Sequence, residues 1–541
     1  MNQKKEDKRY FMKLACRIGL LFAIVLTSCQ DEIISENTCQ DNDQSYEEET
    51  FGRTIVLGKK LNNPYSLKNM QAAYDSLSDE SGSTLKSGRQ LQPTHYYVRF
   101  LPKDSSDVRQ LERDSLDLFC YPLDYEIEEW GDYYHDPTIP KGQMTWQYTK
   151  VPIDYKFPNV QYELLEECYI PNEDSEGASL RSKNGINTDL LETLAFEMTG
   201  NSNLLEKSEL RSKEYPSGDI KVYNDITQSW DPVAGVRIRT TNILRWSNTY
   251  TDANGHYRMS SHYRTKVHYA LIFENSQGFK IGNWSVISPA RTHEMGFHSN
   301  KGYSVSFNKG SDMWGHCIVN NAAYYMYQNF KRYIPDEMHL WVLQNGERGC
   351  AAMLGHGAGT AEKALALIGA TTFVTGVQLS EELAPALALL SPDIIIGAKK
   401  DSIYNLTETT CHELAHSMHF NKVGKSYWNK YILGILQCSA RTGETYGNNK
   451  PGDSDYSGYI GVGETWGFAM GFYMANKKFG VNKFTLKKYW FNPKETKKLF
   501  DEKLITPLQF LDCMDNQTID LDILNGHLLL KNDKISKNLY K

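Results

Sequence analysis

A chain of 541 residues, 40% hydrophobic and 12% aromatic, is too long for one packed core and too apolar to be disordered, so roughly two to four domains are expected. Its formal charge of −7 argues against nucleic acid and anionic membrane surfaces as partners. Ten cysteines, widely spaced and without a CxxC pair, fit neither a zinc ribbon nor a small disulfide framework, and most are expected as buried thiols.

Residues 1–28 read as a targeting segment. Lys13 and Arg17 precede an apolar run at 18–26 that is too short to cross a bilayer. Leu26-Thr27-Ser28-Cys29 then resembles the lipobox of bacterial lipoproteins. That resemblance implies lipidation of Cys29 and an anchor in outer-membrane lipid. Gln30-Asp31-Glu32 resembles the surface-export signal of some Gram-negative lipoproteins, which implies a surface-exposed place in the cell envelope. Removing 1–28 takes away Lys4, Lys5, Lys8, Arg9, Lys13 and Arg17 against Glu6 and Asp7, so the mature chain is more acidic still. Residues 29–92 are rich in Ser, Asn, Asp, Glu and Gln and read as a flexible tether.

From Pro93 the composition changes. HYYVRFLP (95–102) alternates like a strand, 104–114 reads as a short helix, and LDLFCYPL (116–123) as a second strand. Residues 93–171 are expected as a small α/β domain, which resembles in outline the propeptide-like modules of some secreted proteases. Residues 172–215 return to Ser, Asn, Glu and Lys and read as a linker with a short helix within 190–205. In 216–290, VAGVRIRT (233–240) and YALIFEN (269–275) read as strands, and TDANGHYRM (251–259) places Asp252, Asn254 and Gly255 in a turn. The phrases Pro232-Val233-Ala234-Gly235-Val236 and Thr251-Asp252, Gly255, Tyr257 resemble the carboxypeptidase regulatory-like module. This implies a transthyretin-like β-sandwich acting as a spacer, with His256 and His262 at its surface.

Residues 291–541 mix helix and strand. The spacing predicts a helix at 316–334, strands at 339–345 and 349–357, apolar helices at 361–370 and 380–390, and a buried strand in PDIIIGA (392–398). TETTCHELAHSMHF (407–420) then carries His412, Glu413 and His416 as H-E-x-x-H. On a helix, residues four apart share a face, so both imidazoles can hold one zinc ion while Glu413 reaches a water on it as general base. Asn405 or Thr407 is the expected cap and Gly424 the expected stop. A further apolar helix follows at 427–438, then a polar loop at 442–458, and Gly463 is expected to end that loop so that Glu464 opens a helix at 464–479.

A catalytic zinc takes three protein ligands and leaves one position open. The metzincin pattern would need Gly at 419 and His at 422, but His419 and Lys422 stand there. His419 is expected as a packing residue or an outer partner of the ligands. The alternative solution resembles the gluzincins, with Glu464 as third ligand; Glu444, Asp453 and Asp455 compete from the polar loop. Together HELAH and GETWG resemble secreted zinc peptidases. The expected reading is an α+β, multi-domain lipoprotein: a small α/β N-terminal domain, a β-sandwich module and a C-terminal zincin-like, two-lobed catalytic domain. It would hydrolyse peptide or protein substrates with one Zn2+ per chain. Tyr446, Tyr456, Tyr459 or His356 would supply a transition-state donor. The rival readings are a surface binding lipoprotein with an inactive zincin lobe, and a zinc hydrolase of a non-peptide substrate.

Overall fold

The computed structural model describes residues 54–80, 90–171, 187–206, 215–283, 290–357, 392–447 and 452–540, apart from a few isolated positions. The targeting segment, Cys29, the first part of the expected tether and the expected helices at 361–370 and 380–390 lie outside the described residues. Helix (36%) and strand (25%) are both substantial, and the sheets are largely antiparallel, an α+β arrangement. Among the described residues no helix is long and apolar enough to cross a membrane, and the seven cysteines are free thiols.

The first unit contains β1 (Val56–Lys60), α1 (Leu67–Glu80), β2 (His95–Leu101), α2 (Ser105–Arg113), β3 (Tyr125–Glu129), β4 (Gln147–Pro152), β5 (Gln161–Cys168) and α3 (Thr188–Met198). Its three-stranded antiparallel sheet runs β4-β2-β5. The tether expectation fails at residues 54–80, which hold β1 and α1. Tyr65, Met70, Ala73 and Tyr74 are sparse among polar neighbours, yet all are buried against the sheet. The strand expected at 116–123 is reduced to a single bridge, Phe119 to Tyr148. Asp117 turns away to accept hydrogen bonds from Trp246 Nε1 (2.9 Å) and Asn248 Nδ2 (2.7 Å) and to pair with Arg237.

The stretch expected as a linker holds α3, capped by Asn187, whose side chain accepts from the backbone N–H of Asp189 and Leu190. The helix buries Leu191, Ala195 and Phe196 in the first core, beside Ile243 and Leu244 from the next unit. It therefore joins two units by packing, which a polar composition around an amphipathic run conceals.

The second unit runs through β6 (Ser217–Asn224), β7 (Ser229–Pro232), β8 (Val236–Asn242), β9 (Arg245–Tyr250), β10 (His256–Arg258), β11 (Val267–Asn275), β12 (Lys280–Gly282), β13 (Thr292–His298) and β14 (Val305–Phe307). The expected turn forms, with Gly255 at φ +74. His256 is exposed as expected and pairs with Asp219, but His262 is buried and lies 3.3 Å from Asp189 of α3.

Beyond β14 come α4 (Trp314–Phe330), β15 (His339–Leu343), β16 (Gly349–Cys350), β17 (Ile394–Gly397), α5 (Ile403–Thr442), α6 (Ser457–Phe479), α7 (Pro493–Asp501), α8 (Pro507–Asp512) and α9 (Leu521–Lys531). The boundary expected at 290 falls inside a shared sheet. β12 pairs antiparallel with β11 and parallel with β15, giving one order β16-β17-β15-β12-β11-β8-β9. One hydrophobic core likewise runs from Ile220 to Leu539. The strand expected at 349–357 stops at Cys350. Met353 takes a positive φ of 54, and its N–H and that of His356 bond to Asp393.

Candidate metal centre

Helix α5 begins earlier than expected, because Ser402 caps it by accepting from Asn405 N at 3.2 Å. β17 is a fully buried strand, and it delivers the chain into this helix through the core. His412, Glu413 and His416 lie on its inner face, each about 5% exposed or less. The two Nε2 atoms stand 2.9 Å apart, with the rings edge to face. Among the described residues these three side chains are the one group of His, Cys, Asp and Glu whose ligand atoms all lie within 4.8 Å of one another.

Glu464 enters from α6, 1% exposed. Its Oε2 is 3.5 Å from His412 Nε2 and its Oε1 is 3.7 Å from His416 Nε2. Glu413 Oε1 is farther off, 4.0 Å from His412 Nε2. Two carboxylates thus compete for the same pair of imidazoles. We favour Glu464 as their partner because its two oxygens each face one ring, whereas Glu413 is gripped from behind by β16: a Cβ on Gly349 would collide with its carboxylate.

Glu464 does not open its helix, as the sequence suggests, but sits in its third turn. Gly458, Gly461 and Gly463 look like loop residues yet lie within α6. They are there for close packing: a Cβ on Gly461 would come 2.7 Å from Trp490, and one on Gly463 2.8 Å from Tyr431. One turn on, a Cβ on Gly467 would lie 2.8 Å from His416 Nε2 and 2.9 Å from His412 Nε2. Glycine here leaves the histidine nitrogens room that any other residue would fill. Trp466 Nε1 donates to Ala415 O at 2.7 Å and ties α6 to α5.

The electrostatics suit a cation. Burial acts to raise the Glu464 carboxyl, but the charge of His416 and the close approach of both imidazoles outweigh it and hold the group well below the usual carboxylate range. Its Oε2 is buried and, among the described residues, has no partner within hydrogen-bonding geometry, and neither has His416 Nδ1. A buried carboxylate short of partners costs several kcal/mol. A divalent ion between Glu464 Oε2 and the two Nε2 atoms would compensate that cost, and two imidazoles with one carboxylate are a donor set zinc accepts.

Two tyrosines border the pocket. Tyr431, which sequence reasoning placed in a plain apolar helix, donates its hydroxyl to Glu464 Oε1 at 2.5 Å and lies 3.5 Å from His416 Nε2. Tyr446 is half-buried; burial, then the charges of Glu464 and Glu413, push its phenol well above the usual range. Phe468 sets its ring edge-on to His412, centroids 4.4 Å apart, and stacks on Tyr489 and Phe491. Tyr446 meets all three of these rings edge-on.

The remaining candidates lie elsewhere. Tyr456 and Tyr459 pack with each other and with Tyr427. His356 is engaged on both nitrogens, by Asp393 Oδ1 at 2.9 Å and Asp336 O at 3.0 Å. His419 is buried against Tyr427 and Trp428 with neither nitrogen hydrogen-bonded among the described residues, and burial, then the charges of His416 and Lys422, bring it down to about 3. It packs rather than supports a ligand. Asp455 pairs with Arg441 at the surface, and Glu444 is exposed. Compared with protein-family models, curated proteins and solved structures, the chain shows no match, so the assignment of this site rests on its own geometry.

Proposed function

We propose that the chain is a zinc-dependent peptidase in which His412, His416 and Glu464 hold the ion and Glu413 is the general base. The observation that carries this reading is the convergence of the buried Glu464 carboxylate on two imidazole nitrogens from the neighbouring helix, with its Oε2 left without a hydrogen bond among the described residues. Zinc bound there supplies Lewis-acid polarisation of the scissile carbonyl and lowers the pKa of water. Glu413, beside the ligands but held by β16, takes the proton from the attacking water and returns it to the leaving amine. Tyr446 is the donor of choice for the oxygen that gains charge, because its ring packs on Phe468, which itself borders His412, whereas Tyr459 packs with Tyr456 and Tyr427. Phe468 packs edge-on against His412, and the stack it forms with Tyr489 and Phe491 would offer apolar rings to a substrate side chain.

Lipidated Cys29 would place this activity on the outer membrane, facing peptides or proteins outside the cell. Cys29→Ala should move the protein from the membrane to the soluble fraction; unchanged fractionation would remove the anchor from this account. The activity itself is tested on the mature chain, residues 29–541, incubated with a peptide library with zinc or after chelation. Zinc-dependent cleavage is expected. A chain that holds zinc and leaves every peptide intact would contradict the peptidase reading.

A further inference from the structure

We infer that Tyr431 is a positioning residue that makes Glu464 a one-oxygen ligand, an inference that rests on the zinc reading above. Tyr431 lies fifteen residues beyond His416, past the helix stop expected at Gly424, and spacing along the chain does not by itself bring the two together. A straight helix would separate them by about 22 Å. They meet because α5 breaks at Gly424, where φ is 78 and ψ is 176. Space is not the constraint at Gly424, for a Cβ there would meet nothing within 4 Å; the left-handed φ is. The second half of α5 thereby turns back under the first and carries Trp428 and Tyr431 to the metal site, their rings 5.8 Å and 5.6 Å from that of His416.

From that side the Tyr431 ring fits the notch that Gly463 leaves in α6, one residue before Glu464. The hydroxyl then meets Oε1 at 2.5 Å. The other oxygen, Oε2, faces His412 Nε2 at 3.5 Å and has no hydrogen bond of its own among the described residues. A phenol has one proton to donate, and it spends that donor on one carboxylate oxygen. The occupied oxygen can no longer turn freely toward a cation, so Oε2 is the atom left to bind. Metal-binding carboxylates are held in this way by outer hydrogen bonds that fix their orientation. Gly424, Gly463 and Tyr431 are thus one device on two helices: a turn, a notch and a donor. The phenol is an outer partner here and not a fourth ligand, because its one donor is committed to Glu464 Oε1 at 2.5 Å while His416 Nε2 lies 3.5 Å away.

The test is Tyr431→Phe in the mature chain, which keeps the ring and removes only the hydroxyl. Zinc affinity is read by chelator competition, coordination by the visible spectrum of the Co2+ form, and folding by the melting temperature of the metal-free protein. The zinc dissociation constant should rise by roughly 10–100-fold, as for other outer partners of ligands. The Co2+ spectrum should shift toward higher coordination as Glu464 binds through both oxygens, while the metal-free melting temperature holds. Gly463→Ala, which pushes the ring aside with its hydroxyl intact, should weaken zinc in the same way and gives a second route if Tyr431→Phe does not fold. Unchanged affinity and an unchanged Co2+ spectrum in Tyr431→Phe would overturn the positioning role and leave the zinc reading standing. A tyrosinate-to-metal charge-transfer band in the Cu2+ form that disappears in Tyr431→Phe would overturn it too, by making Tyr431 a ligand. A wild-type chain that binds no zinc would remove the reading beneath it.

Discussion

Two clusters of buried charge in this protein look alike in composition and differ in completeness. Around α3, Glu192 accepts from Arg245 Nη1 on both oxygens, at 2.8 Å and 2.6 Å, and from the Tyr65 hydroxyl. Beside it, Asp189 accepts from Arg264 at 2.6 Å and faces His262 at 3.3 Å. Each carboxylate there is answered by a cation of the chain itself, so the cluster serves to hold the first and second units together. Between α5 and α6, Glu464 is as deeply buried, but among the described residues no Lys or Arg pairs with it, and its Oε2 and His416 Nδ1 make no hydrogen bond. Buried polar groups are normally satisfied, and those that are not call for an explanation. In this pair of clusters, the carboxylates met by arginines of the chain hold two units together, and the one left without a cation faces the two imidazoles where an ion fits.

The sharpest way to break that contrast is at the base. Glu413→Gln keeps the shape of the metal centre and loses the proton acceptor. Turnover should fall by about 10²–10⁴ with the fold intact; near-normal turnover, measured on any peptide the wild type cleaves, would take Glu413 out of the mechanism. At the α3 cluster the same class of change acts on stability. Arg245→Ala strands a buried carboxylate and should cost about 3–5 kcal/mol in urea unfolding, whereas Arg245→Met with Glu192→Leu together should be near neutral. Neither should alter zinc content. A loss of zinc in the double variant would mean that the two clusters are coupled.

A third, smaller effect is pH-dependent. Burial acts to raise the Asp189 carboxyl, but hydrogen bonds from His262 and Arg264 and the charge of Arg264 bring it down to about 2. A carboxylate whose folded pKa lies below its unfolded one stabilises the fold above the unfolded value, here near pH 4. That contribution is lost as the pH falls toward 2. Unfolding free energy compared at pH 5 and pH 3 should therefore drop more in the wild type than in Arg264→Ala, and equal drops would sever Asp189 from acid stability. The smallest effect is at the surface. Asp455, 67% exposed beside Arg441, belongs to a pair worth about 0–1 kcal/mol, and Asp455→Ala should leave stability, zinc and turnover nearly unchanged.

What the sequence showed follows from how far each contact reaches along the chain. His412, Glu413 and His416 are legible because helical spacing alone brings them to one face. Glu464 could be singled out as a later carboxylate, but not its place in the third turn of α6. Gly458, Gly461 and Gly463 imitate a loop while serving as packing notches, and only their neighbours Trp490 and Tyr431 reveal that. The stop at Gly424 was legible, but not that this break would turn the following helix back and bring Tyr431 onto Glu464. The same holds for the fold. Alternation revealed β2, β8 and β11, and a β-branched run revealed β17. It could not show that β12 would join them into one sheet, or that Tyr65 and Tyr74 would anchor a stretch that reads as tether.

The central claim, that the imidazole pair takes Glu464 rather than Glu413 as third ligand, is tested most directly by zinc content. Purified wild-type, Glu413→Gln and Glu464→Ala chains would be dialysed against trace zinc and assayed for metal per chain. The account predicts one zinc in the wild type, one in Glu413→Gln and little or none in Glu464→Ala. Zinc retained by Glu464→Ala and lost from Glu413→Gln would contradict it and make Glu413 the ligand.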